Sequence, residues 1–404
     1  MAVNVADRER GERIVGLDGS HVARLGAMSA PPVSLSGRPV ERVRSAARSL
    51  GFDAVAIARA DIPLGSDIER YDAFIAQGMH GEMSYLARNR LVRARLDGDG
   101  VLRGARSVVC VARRYPRSPD VDPSPNGVTR SIARYARGRD YHGFLRRRLR
   151  RLASLLRSFG SKSDPVHARP LCDDEPVLER AWAARAGLGF IGKNGMLIVP
   201  GLGSMVLLGE VVTTLALPPD SPMTERCGTC TRCLNACPTQ AFAAPFVLDA
   251  RRCVAYLTIE HRTAIPADLS GGVGTHLFGC DDCQTSCPFN GGALARAPPG
   301  AADGDPFAPL ERWSRVRLED FLSLDEAGWR AISEGSPLKR SGRTGIARNA
   351  ALVLGNRGDP AALPALREAV ERHESTMVRE AAAWAIERLE AGGSHTPAKR
   401  GPGT

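Results

Sequence analysis

Eight of the ten cysteines in this 404-residue chain fall between Cys227 and Cys287. They form two regularly spaced runs. The first is Cys227-Gly-Thr-Cys230-Thr-Arg-Cys233-Leu-Asn-Ala-Cys237-Pro238; the second is Cys280-Asp-Asp-Cys283-Gln-Thr-Ser-Cys287-Pro288, with Cys253 upstream. Spacings of two, two and three residues closed by Cys-Pro are the bacterial iron–sulfur pattern. Three thiolates so spaced wrap one cubane, while the fourth, beyond a turn, reaches a different one. The wiring assigns Cys227, Cys230, Cys233 and Cys287 to one 4Fe–4S cluster and Cys237, Cys253, Cys280 and Cys283 to another, with no thiolate left over. Two zinc ions on paired Cys-x-x-Cys units are the bland alternative, but zinc does not explain the third cysteine of the first run or the Cys-Pro endings. A secreted disulfide framework would staple a small chain throughout. Clustering in one insert points instead to a reducing, cytoplasmic setting and to an electron relay, which needs a terminus.

The rest of the chain divides around this block. Residues 1–38 read as an extension or unstructured start. Over 39–222, the amphipathic helix VERVRSAARSLGF is followed by the β-rich DAVAIARA and by SVVCVARRY, which Pro116 ends; residues 117–130 read as an exposed loop. Tyr141–Phe159 spaces leucines at helical intervals among arginines, and PVLERAWAARAG (176–187) is a further amphipathic helix. The apolar strands MLIVP and SMVLLGEVVTTLAL come next. Helices alternating with strands make this half α/β or α+β. The cysteine module spans 223–297, and PPGAADGDPFAP (298–309) marks a boundary. Three helical stretches over 310–391 end in a HEAT-like pair with alanine-rich contact faces, expected to dock on the main body; 392–404 is a disordered tail by composition. No apolar run reaches membrane-spanning length and no secretory leader is evident. Lysine and arginine exceed aspartate and glutamate by 11, which suits a polyanionic partner without naming one.

Several residues outside the cysteine block are candidates for chemistry. Gly187-Leu-Gly189-Phe-Ile-Gly192 matches a dinucleotide fingerprint but follows a helix instead of a strand. Gly187 to Lys193 matches a phosphate loop except that Asn194 stands where Ser or Thr would hold magnesium. Neither reading survives, although the glycines still require a sharp turn or a close approach. Asp173, Asp174 and Glu175 precede a helix; they fit proton delivery beside a redox centre, or simple capping. Asp281 and Asp282 sit between cluster ligands, where they could tune a potential, hold a cofactor amide or merely be solvated. His142 is a cofactor contact or a structural histidine. Cys110 reads as a buried small hydrophobe and Cys172, beside the acids, as a weak redox candidate.

With the clusters assigned, the surrounding segments resemble the epoxyqueuosine reductase family. The resemblance is carried by HGEMSYLARN (80–89), ARYARGRDYH (133–142), DEPVLERAWAARAGLGFIGKN (174–194), CLNACPTQAF (233–242), DARRCVAYLTIEHRTAIP (249–266), FGCDDCQTSCPFN (278–290) and SPLKRSGRTGIARNAALVLGN (336–356). It covers residues from about 40 to 391. It implies a cobalamin held by the α/β half, electrons passing from the two clusters to cobalt, and reduction of epoxyqueuosine to queuosine at the wobble position of a tRNA anticodon. The family's proton-donating aspartate falls on Asp173, although Asp174-Glu175 and Cys172 depart from its usual neighbours. Arg134, Tyr135, His142, Lys193, Asn194 and Asp282 are the cobalamin contacts this suggests, together with Asp173. Lys339, Arg340, Arg343 and Arg348, at the entrance of the helical pair, are the expected tRNA-binding residues. A flavodoxin or ferredoxin would supply low-potential electrons, and one cofactor set per chain permits a monomer. The alternatives are a cytoplasmic, dehalogenase-like corrinoid reductase of a small organic substrate and a non-catalytic iron–sulfur carrier. A zinc-stabilised RNA-binding module is a third.

Overall fold

A run such as Val108–Ala112, apolar at every position, leaves no face for water and belongs in a strand covered on both sides. The computed structural model describes residues 38–115, 127–173, 175–295 and 307–392. Residues 1–37 of the expected extension, 116–126, Asp174, 296–306 and 393–404 lie outside it. The strands are β1 (Ala54–Arg59), β2 (Ser107–Arg114), β3 (Ala168–Leu171), β4 (Phe190–Ile191), β5 (Leu197–Ile198), β6 (Val206–Thr213), β7 (Phe242–Ala244) and β8 (Val247–Leu248). Four of them form one sheet in the order β1-β2-β6-β3, and every pairing in it is antiparallel. Antiparallel pairing between all neighbours, in place of the parallel pairs that βαβ units produce, makes the architecture α+β.

Side chains alternate across β2. Val109 and Val111, with Val211 of β6, pack on Val43 and Ala47 of the helix Arg38–Ser49 and on Leu145, Leu149, Leu152 and Leu156 of the helix Tyr141–Arg157. Those leucines recur every three or four residues, so the helix buries one stripe and leaves its arginines outward. Each leucine removed from water contributes about 1.5–3 kcal/mol. The opposite sheet face carries Ala56, Val108, Cys110, Ala112 and Val212, which meet Trp182 and Ala183 of the helix Glu179–Arg185.

The glycine-rich passage is a packing device. β4 and β5 form a small hairpin, and a Cβ on Gly189 would lie 2.3 Å from the Ile198 carbonyl oxygen. Gly187, at φ +74°, turns the chain there.

Gly342–Arg357, Leu363–Arg372 and Thr376–Glu390 are the carboxy-terminal helices. Ile346, Ala350 and Val353 share one core with Leu257, Ile259, Leu277 and Phe278 of the cysteine module and with Ile132. The helical pair thus docks on the body through a common core. No helix among the described residues is long and apolar enough to cross a membrane.

Candidate active site

Asp140 caps the helix Tyr141–Arg157, accepting the His142 backbone N–H at 3.1 Å. That cap aims the first two side chains of the helix at the end of β3. His142 Nδ1 lies 2.5 Å from Asp140 Oδ1, and its Nε2 lies 3.5 Å from Asp173 Oδ2. Tyr141 stacks on His142 at 4.2 Å between ring centroids and donates its hydroxyl to the same Asp173 oxygen. Asp173 adopts a left-handed conformation, φ +56°. Such a conformation costs of order 1 kcal/mol in a non-glycine residue and persists only when its surroundings enforce it. Burial would lower the His142 pKa, but the hydrogen bonds its ring donates to Asp140 and Asp173 outweigh it and raise it to about 9. His142 is therefore an imidazolium at neutral pH. Burial and the Asp173 charge push the Tyr141 hydroxyl well above its ordinary value, so it remains a donor.

Asp173 and Tyr141 open onto a cavity of about 750 Å³. Its walls are mostly apolar and aromatic, including Tyr135, Phe190, Leu86 and Leu207, with Arg70, Arg93 and Arg185 among the polar groups. Gly279, Cys280 and Asp281 form part of the wall. A Cβ on Gly279 would approach Ala133 Cβ to 2.6 Å, so glycine is what lets the cysteine loop lie against the 133–135 segment.

The thiols sort into two neighbourhoods. Burial is the first cause that raises the pKa values of Cys227, Cys233, Cys280 and Cys283. Beyond it, Cys233 senses Cys287 and Cys230, and Cys227 senses Glu225 and then Cys233. Cys283 senses Cys253 and Cys237, while Cys280 senses Asp282 and then Cys253 and Cys283. Cys280 itself lines the cavity. His276, Cys280 and Asp282 also approach one another, with His276 Nε2 3.0 Å from Asp282 Oδ2.

Of the cofactor contacts expected from sequence, Tyr135 and Asp173 line the cavity. His142 stands one layer behind Asp173. Arg134, Lys193, Asn194 and Asp282 are not among the cavity's lining residues, and their polar groups tie loops together. The Arg134 guanidinium donates to Thr285 Oγ1 at 2.9 Å, and Lys193 Nζ donates to the Gly228 carbonyl at 2.5 Å. Asn194 Nδ2 donates to the Cys283 carbonyl at 3.3 Å, and Asp282 meets His276.

The basic quartet divides as well. Lys339 is exposed, its Nζ 3.8 Å from Asp140 Oδ2. Arg340 is paired with Glu260 at 3.0 Å, and Arg343 is held by Glu326, Glu374 and the Leu324 carbonyl. Arg348 cannot bind tRNA: it is 1% exposed and donates to the carbonyls of Leu257, His261 and Thr263. A buried guanidinium must be saturated with acceptors, and these belong to the module that carries Cys253.

An epoxyqueuosine reductase (QueG) family model matches residues 95–173, a 4Fe–4S double cluster binding domain matches 226–290 and HEAT repeats match 338–398. An epoxyqueuosine reductase of Xanthomonas campestris is 40% identical over 348 residues, covering 85% of this chain and 94% of that protein. One of Gloeobacter violaceus is 43% identical, covering 79% and 96%.

The chain belongs to the epoxyqueuosine reductase family.

A solved epoxyqueuosine reductase with an epoxyqueuosine-modified tRNA-Tyr stem loop superposes with TM-score 0.76 at 30% identity, covering 87% of this chain and 90% of that one. The Bacillus subtilis epoxyqueuosine reductase superposes with TM-score 0.75 at 30% identity and the same coverage, in a state described as having its catalytic aspartate loop swung out of the active site. This family member is accordingly an oxidoreductase with a double-cluster module and a helical-repeat end.

Sequence reading passed over Tyr141, Glu179, Glu210 and Phe246. Phe246, at the β7–β8 turn, lines the cavity, is 42% exposed and has φ +70°. A large aromatic that keeps both strain and exposure was a signal only once its position was known.

Proposed function

We propose that this chain reduces epoxyqueuosine to queuosine at the wobble position of tRNA in the cytoplasm, with Asp173 as proton donor. The observation that carries the reading is the Tyr141–Asp173–His142 constellation on a cavity whose wall also holds Cys280. The cavity suits a corrin in its breadth and apolar walls, with Tyr135 and Asp173 facing it and no histidine among its lining residues. Cobalamin held there would supply a metal able to deliver two electrons to a carbon–oxygen bond, and the two clusters would supply them singly.

Removing the epoxide oxygen consumes two electrons and two protons and releases water. A proton reaches that oxygen through Asp173 as the oxygen's bond to carbon breaks: the carboxylate takes it from the His142 imidazolium and hands it on. Tyr141 holds the carboxylate in place, and His142, reprotonated from solvent, supplies the second proton by the same route. The exposed Lys339, near Asp140, supports an anticodon arm lying across the mouth of this site. Phe246 offers a face on which a splayed base can stack. Half-buried Cys230, flanked by exposed Arg226 and Arg232, suits entry of electrons from a flavodoxin or ferredoxin. The enzyme acts as a monomer.

The test is anaerobic reconstitution with iron, sulfide and cobalamin, followed by assay on tRNA carrying epoxyqueuosine. Queuosine should form only with cobalamin and reductant and be lost in Asp173→Asn. Corrinoid binding without turnover of this tRNA would overturn the substrate, and full activity of Asp173→Asn would overturn the donor.

A further inference from the structure

Glu210 stands in the middle of the sheet, where neighbouring positions are Cys110 on β2 and Leu171 on β3. It is 0% exposed, and neither carboxyl oxygen meets a hydrogen-bond donor. An isolated carboxylate in such a row is expensive to bury, and it is tolerated only when neutralised or paired. Residue parity on β6 puts Glu210 on the face of Val212, which packs against the helix Glu179–Arg185. The side chain it meets there is Glu179. Two facing carboxyl groups attract only when a proton lies between them.

Glu179 has a second contact. Its Oε1 accepts the backbone N–H of Asp173 at 2.7 Å, and its side chain lines the cavity. Asp173 is the residue in the left-handed conformation, so this bond holds the backbone where the strain lies.

We propose that Glu179 is a positioning residue for Asp173, held in register by a single proton shared with Glu210. The inference rests on Asp173 being the proton donor. Glu210 is fixed by the sheet; the shared proton draws Glu179 to it, and Glu179 in turn clasps the Asp173 N–H. Loss of that proton leaves two buried carboxylates facing each other, which repel and release the clasp. The charged or titratable groups around the pair are Asp173 from the loop after β3, Arg180 from the same helix and Cys110 from β2. Burial, followed by the charge of Asp173, raises the Glu179 pKa to about 8, and burial, followed by the charge of Glu179, raises that of Glu210 well above the ordinary carboxyl value. Both folded values lie above the ordinary carboxyl value, so at neutral pH the pair keeps a proton between its carboxyls.

Four variants and a spectrum test this. Glu179→Ala should lower kcat on the order of 10–100-fold, the cost of misplacing a reacting group by about an ångström, with KM for tRNA unchanged. Glu179→Gln keeps an oxygen for the Asp173 N–H and an amide for Glu210, so it should retain most activity. Glu210→Gln, whose amide can donate to Glu179, should do the same. Glu210→Leu, which removes the partner and the buried charge together, should lower kcat while keeping the fold. Infrared spectra of the protein without cofactors should show a carboxylic-acid C=O band at neutral pH that is absent from Glu210→Gln. Wild-type kcat in Glu179→Ala, inactivity of Glu179→Gln, or absence of that band would overturn the proposal. If Asp173→Asn is fully active while the band is present, the fault lies in the assignment of the donor and not in the pair.

Discussion

Nε2 of His142 lies 3.5 Å from Oδ2 of Asp173, and both side chains are about nine-tenths removed from solvent. The imidazole thereby joins Asp173 to Asp140, and through Asp140 to Lys339 at the edge of the carboxy-terminal helices.

Activity should follow the His142 charge. Its folded pKa, about 9, stands above the ordinary 6.5, so the stabilisation from the cation is complete below about 6.5 and lost as pH rises through about 9. Asp140→Asn removes one carboxylate and should move the His142 titration to lower pH. Proton NMR of the imidazole, beside the pH dependence of kcat, checks this; a titration unmoved by Asp140→Asn would contradict it.

Cluster occupancy should divide by thiol neighbourhood. Cys280→Ser should roughly halve bound iron and sulfide, keep a reducible cluster by electron paramagnetic resonance and abolish turnover. Cys230→Ser should likewise spare the cluster beside the cavity. Loss of all iron from either variant would show that the two sets do not assemble independently.

Lys339 and Arg348 should behave oppositely, although both stand near the start of the helical repeat. Arg348→Met leaves buried carbonyls without a donor and should cost roughly 2–4 kcal/mol of stability in a denaturant titration. Lys339→Glu should leave stability unchanged and weaken tRNA binding. The slope of log affinity against log salt should fall by about 1 for each phosphate the protein ceases to neutralise. Equal stability losses in the two would contradict this division.

Phe246→Ala should raise KM for tRNA with little change in kcat, since stacking of one base on an aromatic ring contributes about 1–3 kcal/mol. Phe246→Tyr keeps the face and should bind as the parent does. A kcat effect without a KM effect would place Phe246 in the chemistry instead.

The double-cluster module was legible because the two cysteine runs carry their own spacing: thiolates separated by two residues can reach one cluster whatever surrounds them. The helices Arg38–Ser49 and Thr376–Glu390, and strands β1, β2 and β6, were legible for the same reason, since apolar periodicity is local. MLIVP was over-read. It yields only the two-residue β5, because Gly195 and Gly201, both with positive φ, turn the chain on either side.

Position before Pro176 proposed three acids, the family resemblance singled out Asp173 among them, and the sequence by itself determined the cofactor class and the family. What it could not determine was which side of each element faces solvent. Arg348 and Lys339 are nine residues apart and look alike in the sequence; docking of the repeat onto residues 257–263 buries one and leaves the other exposed. Glu210 looks like an outward strand residue until the helix Glu179–Arg185 covers its face. Burial is a property of two surfaces meeting, so the tertiary structure alone decided which charges became framework and which stayed available to a substrate.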